Sequence, residues 1–189
     1  MNLLLYGNIN DLKDLNHPIS KIREQKLNKY KYLDDKKRCL LAELLLKEGL
    51  KQFNIKEFEY TFNEYGKPYL KDINLFFNIS HSKDYVVCII SDEEVGIDIE
   101  YKKDIDYSKL IKRFKIEEQN SIKNIDDFYS IWTKKEAYIK MKGEGLRIEL
   151  NSFDTNNIKE ISLLDDYKIS VCFKNNSNDD IQIIKYNIN

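Results

Sequence analysis

The apolar residues of this chain change period partway along, and that change limits it to folds that mix helices with sheet. Between residues 20 and 50 the spacing is helical, with a start at Asp34 and with Leu40, Leu41, Leu44 and Leu45 on one face. Gly49 is expected to close that helix. Residues 57–62, 76–79, 85–90 and 95–100 then form short runs rich in β-branched and aromatic side chains, divided by turn-formers such as Asn63-Glu64-Tyr65-Gly66. A further strand is expected at 3–6. The second half repeats the order, with helical segments near 107–114 and 116–122, a longer one over 126–142, and strands near 168–173 and 181–186. The pattern predicts an α+β protein built as two α+β lobes. Apolar residues persist to Ile188, so only the last few positions are expected to lack order.

A chain of 189 residues, 42% of them hydrophobic, can bury enough surface for one domain or for two lobes sharing a core. Its 31 basic and 32 acidic residues leave a formal charge of -1. That balance supplies no global field for a polyanion, which argues against broad nucleic-acid or membrane-surface binding, so any anion has to be met locally. Cys39, Cys88 and Cys172 are far apart and spaced neither as a metal knuckle nor as a redox pair; they read as small buried side chains. No window approaches the roughly 20 apolar residues of a membrane span, and the first residues lack a basic lead or cleavage site. A cytoplasmic, monomeric protein is expected.

The strongest local signal is Val95-Gly96-Ile97-Asp98-Ile99-Glu100. On a strand, Val95, Ile97 and Ile99 share one face while Asp98 and Glu100 project together from the other. Two such carboxylates repel unless water or a cation intervenes, so the pair is either solvated surface or an oxygen-ligand metal site. A second signal runs from Phe128 to Lys140, where helical spacing aligns Phe128, Trp132, Glu136 and Lys140. Burying the two rings draws the two charges toward an edge or a cleft. The plainer reading is an ordinary Glu-to-Lys surface pair.

Asn78-Ile79-Ser80-His81-Ser82 ends one strand and precedes another, and its hydroxyls and imidazole suit phosphate oxygens as well as a polar turn. A Ser-His hydrolase is disfavoured, because adjacent Ser80 and His81 point in different directions on a strand and no G-x-S-x-G elbow occurs. Gly66-Lys67-Pro68 reads as a turn with a protruding ammonium, and Gly143-Glu144-Gly145 as the stop of the long helix. No Walker loop, dinucleotide fingerprint or kinase signature is present.

Taken in order, these motifs resemble the surfactin-synthetase-activating type of 4′-phosphopantetheinyl transferase. That family pairs a G-[IV]-D-x-E strand, here Gly96 to Glu100, with a W-[ST]-x-K-E-[AS]-x-x-K helix, here Trp132 to Lys140. The likeness extends to Glu64-Tyr65-Gly66-Lys67-Pro68, Phe77-Asn78-Ile79-Ser80-His81-Ser82, Gly143-Glu144-Gly145-Leu146 and Arg38 ahead of Leu40-Leu41.

The resemblance implies two similar α+β lobes forming a pseudo-dimer, with the active site in the cleft between them. Residues 1–93 would contact the adenosine end of coenzyme A, and 94–189 would carry the metal and the catalytic helix. Asp98, Glu100 and Glu136 match the ligands of magnesium or manganese. Lys140 matches the lysine near the diphosphate, and Arg38, Lys67, Pro68, Ser80 and His81 match the positions that hold the 3′,5′-bisphosphate portion of coenzyme A. Glu136 and Lys140 would be catalytic, and the acceptor would be an acyl or peptidyl carrier protein. The stretch from Asp98 to Trp132 is shorter than usual for the family, and Lys21, Arg23 and Lys26 do not fall unambiguously on its phosphate-binding lysines, so they are left out of the site. A non-catalytic binding module and a nucleotide-diphosphate hydrolase are the rival readings.

Overall fold

The computed structural model describes residues 1–175 and 180–187. The expectation for the final positions falls at 188–189, and the side chain of Leu146 likewise lies outside the described residues. The first half runs β1 (Asn2–Asn8), α1 (Lys21–Lys29), α2 (Leu33–Lys51), β2 (Tyr60–Phe62), β3 (Pro68–Leu70), β4 (Phe76–Ser82) and β5 (Tyr85–Ser91). The second half follows as β6 (Val95–Tyr101), α3 (Ser108–Ile111), α4 (Ile116–Ser121), α5 (Ile125–Lys142), β7 (Lys159–Glu160), β8 (Tyr167–Phe173) and β9 (Ile181–Lys185). The protein is a mixed α+β structure, as its hydrophobic periods require.

Two sheets stack face to face between two long helices. The first sheet has the order β4-β5-β1-β9 and the second β6-β8-β7, while β2 and β3 form a separate hairpin. β1 is central in its sheet and buried on both faces, which explains why it reads as an unbroken apolar run rather than an alternating one. Leu3 and Leu5 pack with Val86, Cys88 and Ile90 against the leucines of α2. Leu4, Val87 and Ile89 face the other way, onto Val95, Ile97, Ile99, Ile169 and Val171 of the second sheet. α5 covers the far side of that sheet, lying on β6 and β8. Each fully buried Leu, Ile or Val contributes about 1.5–3 kcal/mol relative to exposure, so these layers dominate the stability.

The helical stretch expected over 20–50 is two helices, the second beginning at Leu33, beside the expected start at Asp34. Ser20 caps α1 by accepting from the Arg23 N–H, and Tyr30 ends it in an extended conformation. Gly49 does not end α2, which continues to Lys51. A Cβ at Gly49 would lie 2.5 Å from Ile90 Cδ1 and 2.7 Å from Leu5 Cδ1. The glycine is there so that the helix can close on the sheet. Gly143, by contrast, ends α5 as expected, in the left-handed conformation with φ 72°. The three cysteines are buried and unpaired, and burial pushes the Cys88 thiol up strongly and Cys172 up to about 12.

Candidate active site at the seam between the sheets

The two sheets meet along β4 and β6, and side chains form the joint. In β6 the N–H groups of Ile97, Ile99 and Tyr101 point toward β4, where no backbone ladder receives them. They are accepted by Asn78 Oδ1 at 2.9 Å, Ser80 Oγ at 3.4 Å and Ser82 Oγ at 3.0 Å. Alternate polar residues on a strand with apolar neighbours thus supply acceptors that an open edge otherwise lacks. The signal in the sequence is the period-two spacing of Asn78, Ser80 and Ser82, which does not by itself identify a joint between sheets.

The same hydroxyls hold the acids. Ser80 Oγ donates to Asp98 Oδ1 at 2.9 Å and Ser82 Oγ to Glu100 Oε2 at 2.8 Å. Lys140 Nζ donates to Asp98 Oδ1 at 2.6 Å and to Ser80 Oγ at 2.7 Å. The partner of Lys140 is therefore Asp98 on the neighbouring sheet, which sets aside the surface Glu-to-Lys pair. Asp98 is only 3% exposed, and so the solvated-surface reading of the strand also falls. Its second oxygen, Oδ2, is buried without a hydrogen-bond partner.

Gly96 explains how α5 comes so near. A Cβ there would lie 2.0 Å from Ala137 O and 2.3 Å from Met141 N, so only a residue without one lets the helix backbone settle on β6. This close approach carries Glu136 toward Asp98. A cavity of about 330 Å³ is lined by Ile79, Ser80, His81, Asp98, Glu100, Trp132, Glu136 and Lys140. Burial and the neighbouring Asp98 raise both Glu100 and Glu136 above the usual carboxylate range, with Lys140 pulling both the other way. The dense surroundings of His81, and then Arg38 and Lys140, hold its imidazole down at about 4, so it is neutral at pH 7. A larger cavity, about 630 Å³ between α2 and residues 56–59 and 71–73, shares no residue with this one.

Residues 94–183 match the family model described as the 4′-phosphopantetheinyl transferase superfamily, and residues 9–93 match that of the 4′-phosphopantetheinyl transferase N-terminal region. The 4′-phosphopantetheinyl transferase gsp of Aneurinibacillus migulanus is 37% identical, over 92% of this chain and 84% of its own length. The chain belongs to the 4′-phosphopantetheinyl transferase family. Two further relatives from Bacillus subtilis, ffp and Sfp, are each 32% identical, over 81% and 71% of this chain and 70% and 65% of their own lengths.

In this family member the remaining predicted residues divide into two groups. Pro68 and Lys67 line a second, smaller cavity of about 220 Å³ that shares Lys140 with the first and also includes Asn78 and Gly143. The Lys67 ammonium itself donates to Met141 O at 2.6 Å, and burial lowers its pKa to about 8. Arg38 stands at the β4–β5 turn, its guanidinium donating to Lys83 O at 2.6 Å and Asp35 Oδ1 at 2.7 Å. Arg23 belongs to the core, where it donates to Glu43 Oε2 at 3.2 Å. Lys135, unremarked in the sequence beyond its place in the helix motif, is fully buried and donates to Glu118 Oε2 at 2.8 Å and Phe153 O at 2.6 Å. It ties α4 and the loop after α5 to the helix that carries Glu136.

The resemblance implies a magnesium ion, and the donor set suits one. Three carboxylates line one cavity, two of them raised in pKa by burial and by Asp98, and an orphaned buried carboxylate oxygen is the kind of group that a hard cation satisfies. Among the described residues, no group of three His, Cys, Asp or Glu side chains is disposed to hold an ion as it stands. Lys140 Nζ on Asp98 Oδ1 and Ser82 Oγ on Glu100 Oε2 occupy part of that donor set.

Proposed function

We propose that this protein transfers the 4′-phosphopantetheine arm of coenzyme A to a serine of an acyl or peptidyl carrier protein, releasing 3′,5′-ADP. The observation that carries the reading is the lining of one cavity by Asp98 and Glu100 from β6 together with Glu136 and Lys140 from α5. In this reading Asp98, Glu100 and Glu136 hold a magnesium ion, which supplies charge neutralisation at the diphosphate. Arg38, Ser80, His81, Pro68 and the stem of Lys67 receive the adenosine bisphosphate end, and neutral His81 can both donate and accept a hydrogen bond. The two halves, 1–93 and 94–189, act as lobes of a pseudo-dimer with the substrate cleft between them, β9 crossing back to complete the first sheet; the separate family matches to 9–93 and 94–183 support that division.

The serine oxygen attacks the phosphorus that bears the pantetheine arm, and the bond to 3′,5′-ADP breaks as the new P–O bond forms. Lys140 offsets charge that builds on the diphosphate oxygens. Glu136, through a carboxylate oxygen not engaged with the ion or through a bound water, takes the serine proton. None of the described helices is long and apolar enough to cross a membrane. Three buried free thiols fit a reducing cytoplasm, where the protein acts as a monomer.

Mass spectrometry of a carrier protein incubated with the chain, coenzyme A and magnesium decides among the readings. Transfer adds the arm to the carrier. A hydrolase would consume coenzyme A without adding it, and a binding module would do neither; either result overturns the proposal.

A further inference from the structure

The loop between β2 and β3 is tied to the end of α5, on the other half of the chain. Asn63 Oδ1 accepts from the backbone N–H of Tyr65 at 3.0 Å and of Lys67 at 2.8 Å, which fixes the turn. Its Nδ2 reaches across and donates to Gly143 O at 3.0 Å. Lys67 Nζ adds its bond to Met141 O at 2.6 Å, fully enclosed. The last carbonyls of a helix have no intrahelical donor and carry the negative end of its dipole, so an amide and an ammonium there satisfy both needs. Gly143 is shaped to admit them: a Cβ at that position would lie 2.5 Å from Lys67 Cδ and 3.2 Å from Asn63 Nδ2.

Further back, α5 is pinned to its own sheet by Thr133 Oγ1 and Ser170 Oγ at 2.8 Å. Where the helix crosses β6, Gly96 lets its backbone lie directly on the strand. Beyond that crossing, at Met141 and Gly143, the end that carries Lys140 is bonded from the first half of the chain. Resting on the function proposed above, we propose that Asn63 and Lys67 are positioning residues that clasp the C-terminal end of α5 and so set where Lys140 and Glu136 stand relative to Asp98.

Two variants separate this role from substrate contact and from plain stabilisation. Asn63→Asp keeps the acceptor of the turn but removes the donor to Gly143 O; Lys67→Met keeps the apolar stem and removes the ammonium. Because displacement of catalytic groups by about 1 Å can cost up to about 100-fold, each is expected to lower kcat for transfer about tenfold. KM for coenzyme A should stay within about threefold, and deuterium exchange of the amides over 137–143 should accelerate. A rise in KM with kcat unchanged would make these residues substrate contacts only. A lowered melting temperature with unchanged kcat would make them merely structural, and either result overturns the clasp. If the unaltered protein transfers no arm, the functional reading fails instead, and unchanged exchange in the variants would sink the clasp independently.

Discussion

Glu43 on α2 and Asp98 on β6 are both carboxylates shut away from solvent, one in each half of the molecule, and their surroundings differ in kind. Glu43 has every need met: it accepts from Ser20 N at 2.8 Å, Tyr60 Oη at 2.7 Å and Arg23 Nε at 3.2 Å. These partners hold its pKa below the usual range in spite of burial. Asp98 has one oxygen crowded by Ser80 and Lys140 and the other with no partner at all. Fully satisfied buried charge belongs to architecture, whereas buried charge left partly unsatisfied has a cost that folding alone does not explain, so it marks where a ligand is to be met.

The contrast can be broken most directly at Glu43. Glu43→Ala strands the Arg23 guanidinium, so urea or thermal unfolding should show a loss of roughly 3–5 kcal/mol, while transfer per folded molecule changes less than about twofold. Asp98→Asn should do the reverse. It is expected to lower kcat/KM by at least about 100-fold, or roughly 2.7 kcal/mol, with stability unchanged or slightly raised. If both substitutions act mainly on stability, the distinction between the two acids is lost.

A smaller effect is expected at Gly96. Gly96→Ala drives a methyl group into Ala137 O, and overpacking of this kind costs typically 1–3 kcal/mol. Because it also displaces α5, kcat should fall with it, whereas Gly49→Ala, which meets flexible Ile90 and Leu5 side chains, should reduce stability alone.

The pH dependence of stability sharpens the comparison last. The folded-state pKa of Glu43 is depressed, so its contribution is present above the ordinary carboxylate pKa and is lost as pH falls through the lower folded value. The folded-state pKa values of Glu100 and Glu136 are raised, so they oppose folding at neutral pH and that opposition is relieved as pH falls through the raised values. Each group contributes a slope of at most about 1.4 kcal/mol per pH unit. Denaturant titrations should therefore show that Glu136→Gln reduces the gain on mild acidification, leaving the share of Glu100, and that Glu43→Ala reduces the loss at lower pH.

Much of this was legible in the residues. The period of the leucines located α2, alternation placed Asp98 and Glu100 on a face opposite Val95, Ile97 and Ile99, and the spacing of four put Glu136 and Lys140 together on α5. Local pattern does not say what lies across a gap. It could not show that Lys140 pairs with Asp98, that Asn78, Ser80 and Ser82 close the edge of β6, or that the Lys67 ammonium turns to a helix end. Gly49 belongs with these, because a glycine needed for close packing and one needed for a left-handed turn look alike until the neighbouring layer is known. Asn63 and Lys135 act through partners about 20 to 80 residues away, beyond the reach of any short window.

The pairing of β1 with β9 has a consequence for how this molecule comes into being. Leu4 lies in register with Ile183, so the sheet built on β1 acquires this edge strand only when residues 181–185, far along the chain, dock. Until then one flank of β1 presents bare amides and carbonyls, a template for any other extended chain, and the search that finally covers it spans nearly the whole sequence. A chain whose β9 has yet to dock is therefore open to misassembly, and a truncation that spares every side chain of the candidate active site but removes β9 would leave that flank sticky.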